Sequence, residues 1–251
     1  MRALITNDDG IDAPGLAALA RVAAEAGLDV VVAAPAEEHS GASASIIATE
    51  GTAVTAAGGK GTVHTERREL PGVAEAHAVH AAPALIVLLA LHGAFGPVPD
   101  VVLSGINRGA NVGSAILHSG TVGAALTAGQ GGVRALAVSL DVGLSEAGGE
   151  HWETAAAVAA RVLPDLLAAP AGTVLNLNAP DVAAPDGIEL VEAPLAPFGI
   201  VQTTMTEQDG DDVRLAIRQH RADEAPGTDM ERLAAGVATV TSVPTLVTPA
   251  R

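Results

Sequence analysis

Met1-Arg-Ala-Leu-Ile-Thr-Asn-Asp-Asp-Gly10 is the stretch whose reading decides the fold. Its apolar run, Ala3-Leu4-Ile5, stops at three oxygen-bearing side chains, Asn7, Asp8 and Asp9. A short apolar segment bounded by polar turn residues reads as a buried strand of a parallel sheet. In open α/β sheets the functional crevice lies beyond the carboxyl ends of such strands. Two adjacent carboxylates repel each other, so one keeps a proton unless a cation is shared between them. A hard divalent metal is the simplest remedy. Asn-Asp-Asp-Gly is also the composition of an ordinary tight turn, so the rest of the chain has to decide between the two readings.

Downstream, Asp12 is expected to cap a helix whose first turn holds Pro14, with Leu16, Leu19, Ala20 and Ala23 at helical spacing and Gly27 as its stop. Asp29 to Pro35 is the next strand, completing a βαβ unit with a parallel pair and a right-handed crossover. The loop after it, 36–43, therefore opens on the same edge as Asp8 and Asp9. Residues 44–75 read as irregular strands with a turn at Gly58-Gly59, and Ala81 to Gly93 as a buried helix. Pro99 to Ser104 is a third strand, ending in an oxygen- and glycine-rich loop over 105–113 that contains Asn107 and Asn111. Ser119-Gly120-Thr121 then leads into a helix whose small residues leave backbone N–H groups bare, either as an anion site or as an ordinary serine cap. Strands at Arg134–Leu140 and Thr173–Asn178 flank a helix from His151 to Leu167. Alternating segments at Ile200–Thr206 and Asp211–Arg218 surround Glu207-Gln-Asp-Gly210, a hairpin signature, before a short helix at Thr228–Ala235 and a last strand at Val237–Val243. A lone hairpin is marginal in water, so this one is expected to pack elsewhere, on its own chain or on a neighbouring subunit.

Composition excludes several function classes. The 251 residues suit one large α/β domain, read as a core over 1–185 and an extension over 186–251. There is no Cys, hence no disulfide, thiolate metal site or thiol nucleophile. The formal charge of -16, from 29 acidic and 13 basic residues, repels phosphate backbones and argues against a nucleic-acid duplex as partner. Asn7-Asp8-Asp9 stands where a signal peptide needs its apolar centre, and the most apolar window, Ala81–Leu91, is too short to span a membrane. A cytoplasmic protein without a membrane partner is expected.

Three loops thus converge on one crevice: Asn7-Asp8-Asp9, His39-Ser40-Gly41 and Ser104-Gly-Ile-Asn107. They offer two carboxylates, a hydroxyl and an amide carbonyl. All-oxygen ligands suit Mg²⁺ or Mn²⁺ and argue against Zn²⁺. A hard cation beside an anion cradle at Ser119-Gly120-Thr121 points to metal-assisted attack of water on a phosphoryl group. His39 and His118 lie in these loops and can protonate a leaving oxygen. His64, His77, His80, His92, His151 and His220 have no such context, and Arg108 reads as a solvated loop residue.

Thr6-Asn-Asp-Asp-Gly-Ile-Asp-Ala-Pro-Gly15, Val32–Pro35 with Ser40–Ser43, Pro99–Asn107, Asn111-Val-Gly113 and Ser119-Gly-Thr-Val122 together resemble the SurE family, the stationary-phase survival phosphatases or 5′-nucleotidases. Weaker echoes follow at Leu175–Pro180 and from Thr228-Asp229 to Pro244. The resemblance implies a Rossmann-like three-layer α/β sandwich with a mostly parallel sheet. It also implies a C-terminal β-hairpin used in homodimer or homotetramer formation, and one divalent metal per subunit. Asp8, Asp9, Ser40 and Asn107 match its metal-ligand positions. Asn7, Gly41, Ser119, Gly120 and Thr121 fall where it binds substrate phosphate, and Asn111 is read with them; Asp8, Asp9 and, from its place in the loop rather than from the resemblance, His118 are read as the catalytic set on a nucleoside monophosphate.

Departures from the family pattern occur at Ala81, Ala82 and Leu85, where Gly-Thr-Pro-x-Asp is usual, and at His39, His118 and Thr127. They leave open a rival class, a metal and nucleotide sensor without turnover. A phosphoaspartate enzyme is disfavoured because its chemistry is associated with Asp-x-Asp rather than adjacent carboxylates. An NAD-linked oxidoreductase lacks Gly-x-Gly-x-x-Gly after the first strand.

Overall fold

The computed structural model describes residues 1–48, 62–143, 150–199, 201–209, 212–219 and 225–245, with the strands between 201 and 219 described by their backbone. The strands are β1 (Arg2–Thr6), β2 (Asp29–Pro35), β3 (Thr65–Leu70), β4 (Val73–Val79), β5 (Val101–Arg108), β6 (Arg134–Asp141), β7 (Val174–Pro180), β8 (Leu190–Glu192), β9 (Val201–Asp209), β10 (Asp212–Gln219) and β11 (Ala238–Ser242). The helices are α1 (Pro14–Glu25), α2 (Pro83–Leu91), α3 (Gly120–Gln130), α4 (Trp152–Ala168) and α5 (Asp229–Ala234).

Nine strands form one sheet in the order β3-β4-β2-β1-β5-β6-β7-β11-β8. From β4 to β7 all neighbours are parallel, and β3 and β11 run antiparallel to β4 and β7. The fold is the Rossmann-like α/β sandwich that the resemblance implies. Central strands are apolar on both faces because both faces are covered. In β1, Ala3 and Ile5 enter the core shared with α1 and α4, whereas Leu4 enters the core shared with α2 and α3. Every side chain of Ala3-Leu4-Ile5 is fully buried, which explains why that run does not alternate.

Local expectations differ from the structure at several points. Asp12 does not cap α1; Ala13 is the cap residue without a side-chain bond, and Pro14 presets the first turn. Within 44–75, β3 is an edge strand whose pairing with β4 shifts register between Arg68 and Leu70, and the start of β4 falls in the same stretch, while the Gly58-Gly59 turn lies outside the described residues. The loop expected over 105–113 begins later, because β5 continues to Arg108 through an irregularity between Ser104 and Asn107. Gly105 makes that possible, since its φ is +133° and a Cβ there would stand 2.3 Å from the Val138 carbonyl oxygen. The three-residue β8 gave no periodicity to read. The hairpin is borne out as β9 paired antiparallel with β10, a separate two-stranded sheet; its turn residues 210 and 211 are outside the described set. Among the described residues, no helix is long and apolar enough to cross a membrane.

Helix α1 lies against β5 and α4, and Gly15 sets how closely. A Cβ on Gly15 would stand 2.2 Å from the Ile106 carbonyl oxygen and 2.9 Å from the Trp152 ring. Backbone cannot yield as a flexible side chain can, so Gly15→Ala should cost ~2–3 kcal/mol. Urea unfolding checks this; an unchanged midpoint would mean that α1 is not seated so closely.

Candidate active site

The carboxyl ends of β1, β2 and β5 and the start of α3 enclose a cavity of about 480 Å³, lined by Asp8, Asp9, Glu38, Ser40, Gly41, Asn107, Arg108, Asn111, Ala115, His118 and Ser119. Its volume lies within the range of small-molecule sites. The three loops singled out from the sequence do meet, at the strand ends where an open α/β sheet holds its ligands.

Asp8 is the most constrained member, only 5% exposed. Its Oδ2 accepts the Thr121 backbone N–H at 3.1 Å, its Oδ1 accepts the Thr121 hydroxyl, and its carbonyl accepts the His39 N–H at 2.7 Å. Burial raises its pKa above the usual carboxylate range, and the Thr121 bonds work in the opposite direction. Asp9 is pushed up to about 6 by burial first and then by the charge of Asp8, while the Arg108 backbone N–H, 3.4 Å from Oδ2, opposes the shift. Glu38 adds a third acid to the same wall. Such a cluster gains from a cation among its oxygens.

Helix α3 aims its first donors at Asp8. A Cβ on Gly120 would stand 2.7 Å from Asp8 Oδ2, so only glycine lets the helix start approach so near. The Ser119 hydroxyl accepts the Val122 N–H at 3.1 Å, which makes it an ordinary N-cap as well as part of the cavity wall. Asn7 is buried and directs its amide at Gly10, donating to the carbonyl at 2.9 Å and accepting the N–H at 3.2 Å. Asn7, Gly120 and Thr121 therefore shape the Asp8 turn, and none of the three is among the cavity-lining residues.

Asn107 donates through Nδ2 to the Gly109 carbonyl at 2.7 Å, leaving Oδ1 3.4 Å from the Thr121 hydroxyl and on the Asp8 side. Ser40 lines the cavity, but its hydroxyl donates to Glu38. His118 lies exposed on the wall, at the end of the 3₁₀ turn Gly113–His118. His39 faces a neighbouring cleft instead, and burial lowers the pKa of its ring.

Supporting residues escaped the sequence reading. Asn176 and Asn178 both donate to the Asn111 carbonyl, at 2.8 and 3.0 Å, Asn178 accepts the Asn111 N–H, and Asn111 donates to Ser139. The cue was present in Leu175-Asn-Leu-Asn178, where asparagines alternate with leucines in a strand core. Asp229, fully buried, accepts the N–H groups of Gly113 and Ala196, each at 2.8 Å, and so ties the 3₁₀ turn to the C-terminal segment.

The sequence matches the family model described as Survival protein SurE over residues 3–199. The chain belongs to the SurE family. It is 37% identical over 211 residues to the 5'-nucleotidase SurE of Hyphomonas neptunium, covering 82% of this chain and 78% of that protein. It is 41% identical over 188 residues to the 5'-nucleotidase SurE of Xanthomonas campestris pv. campestris strain B100, covering 74% of this chain and 66% of that protein. The crystal structure of the SurE protein from Aquifex aeolicus superposes with a TM-score of 0.71 at 26% identity, over 97% of this chain and 93% of that one.

Departures from the SurE pattern sit mostly away from the cavity. Leu85 lies on the buried face of α2, and Ala81 and Ala82 are buried at that helix's start. The Thr127 hydroxyl bonds back to the Gly123 carbonyl at 2.7 Å and faces a separate apolar groove. Only His118 stands on the cavity wall itself.

The acidic pair has a measurable consequence. Between pH 3.8 and about 6 the folded chain holds a proton on Asp9 that the unfolded chain has released. Stability therefore falls as pH rises through that window, and the cost is fully present at pH 7. In chelator-treated protein, Asp9→Asn should thus stabilise at pH 7 by on the order of 1–2 kcal/mol, allowing for solvent at this half-buried group. The gain should vanish below pH 4; urea unfolding at both pH values checks it, and equal stability at pH 7 contradicts the charge argument.

Proposed function

We propose that the chain is a divalent-metal-dependent phosphomonoesterase that hydrolyses nucleoside monophosphates. The observation that carries this reading is the adjacent Asp8 and Asp9, one buried and one half-buried, lining with Asn107 a cavity of small-ligand size. The Hyphomonas and Xanthomonas relatives, both 5'-nucleotidases, support the substrate class.

The donor set fits one hard divalent cation, Mg²⁺ or Mn²⁺, held by Asp8, Asp9, Asn107 and, once its hydroxyl turns from Glu38, Ser40. When bound, such an ion lowers the pKa of an attacking water and offsets charge on the phosphoryl oxygens. The chain's own residues do the positioning. Thr121 holds the Asp8 carboxylate in one orientation through two donors. Gly41, Ser119 and Asn111 border the space for the phosphate, with Asn111 fixed from behind by Asn176 and Asn178. In this reading His118, exposed on the cavity wall, gives a proton to the departing ribose oxygen. Leu85 and Thr127, which motivated the sensor reading, lie outside the cavity and give that rival no support.

Within 186–251, β8 and β11 complete the main sheet, and the β9–β10 hairpin is the part that serves subunit association in this reading. β9 and β10 pair only with each other among the described strands, and an isolated hairpin is marginal in water. A homodimer or homotetramer formed through that hairpin follows.

Phosphate release from a panel of nucleoside monophosphates, with Mn²⁺, with Mg²⁺ and with chelator, tests the proposal. Activity should require the metal and fall about a hundredfold or more in Asp8→Asn, since even partners outside a metal's ligand shell are worth ~10–100-fold. Metal-dependent nucleotide binding without phosphate release would favour the sensor, and undiminished turnover in Asp8→Asn would overturn the assignment.

A further inference from the structure

The hairpin of β3 and β4 forms the outer edge of the sheet, with Thr65 opposite Val79. The pairing continues one step further, where the His80 N–H donates to the His64 carbonyl at 3.0 Å. His64 and His80 therefore stand opposite each other, with ring centroids 5.1 Å apart. Glu66, two residues along β3, falls on the same side because strand side chains alternate. Its Oε1 lies 3.5 Å from His64 Nε2 and 3.4 Å from His80 Nε2, while Arg68 Nη2 stands 3.7 Å from the other oxygen, Oε2. One carboxylate oxygen is thus directed between two imidazole nitrogens, with the three atoms mutually within 4.8 Å.

Those separations discriminate between two uses of the cluster. They are longer than the ~2.7–3.2 Å preferred by an N–H···O hydrogen bond, the His80–Glu66 contact being a long bond of that kind. The two nitrogen–oxygen separations match the edge of a ligand tetrahedron with bonds of ~2.1 Å, which is about 3.4 Å. Two imidazoles and a carboxylate are the protein donors of open, three-ligand zinc centres. The side chains of His64 and Glu66 are 57% and 45% exposed, so solvent can complete the shell, and His80 at 17% anchors it.

We propose that His64, Glu66 and His80 form a second divalent-cation site, chemically distinct from the oxygen-lined one, which takes a zinc-class ion and clasps the end of β3 to the end of β4. Arg68 orients the carboxylate through its other oxygen. The two sites select by donor type: Mg²⁺ is held by oxygens and ignores the histidine site, whereas Zn²⁺ is held by it.

The test uses the full chain carrying Asp8→Asn and Asp9→Asn, so that the acidic pair no longer competes for metal. Imidazole NMR during Zn²⁺ addition should show the His64 and His80 ring signals shifting together and saturating at one equivalent per chain, with no shift on Mg²⁺. The same titration on the unsubstituted chain should move the same two rings. Equilibrium dialysis should show one bound Zn²⁺ per chain lost when His64→Gln and His80→Gln are added, and binding weakened about tenfold or more by Glu66→Gln. Zn²⁺ binding unchanged by the histidine substitutions, or ring signals that stay still while Zn²⁺ binds, would overturn the proposal.

Discussion

Everything at the crevice depends on holding two adjacent carboxylates, Asp8 buried and Asp9 half-buried, just past the end of β1. Asp8 cannot retreat to solvent, because the start of α3 closes over it with room for nothing larger than glycine at position 120. Its neighbour is left partly desolvated and beside a like charge. Repulsion of this kind is unfavourable in a resting fold and is tolerated where a cation or a reaction makes use of it. Local destabilisation of this sort persists only in a scaffold that fixes both acids from several directions.

That scaffold is built from close backbone approaches. Gly15 seats α1 against β5, Gly105 lets β5 bend beside β6, and Gly120 brings α3 onto Asp8. Each removes a methyl group where a carbonyl or carboxylate must come near, and together they set where Asn107 and the acids meet. Asp229 extends the same logic to the far side of the cavity, holding Gly113 and Ala196 from a helix more than a hundred residues beyond the 3₁₀ turn in sequence. A carboxylate that accepts buried N–H groups from two distant segments ties those segments together at a single point.

Much of this was legible in the sequence because the central strands are uninterrupted apolar runs with polar ends. Ala3–Ile5, Val30–Ala34 and Val101–Leu103 announce themselves, and the loops that leave these parallel strands must open on one edge of the sheet. Legibility ended where the pairing partner decides. Thr121 reads as a donor to an anion, and it is, but the anion it meets is the Asp8 side chain. Asn7 reads as a ligand, yet its amide closes the turn onto Gly10. Val73–Val79 does alternate, with Ala76 and Ala78 buried and Glu75 and His77 half-buried between them, but alanine on the inner face makes that alternation a weak signal. His64 and His80 looked unrelated across sixteen positions of chain, since only the register of β3 against β4 sets them opposite each other.

Two donor sets of different hardness on one sheet would let the protein sort cations by chemistry rather than by affinity alone. The proposed function rests on the oxygen-lined set. Anomalous diffraction from a crystal equilibrated with Mn²⁺ tests that claim most directly. The account predicts a manganese peak within bonding distance of Asp8, Asp9 and the Asn107 amide oxygen. Manganese bound only elsewhere, with the acidic pair left bare, would contradict it.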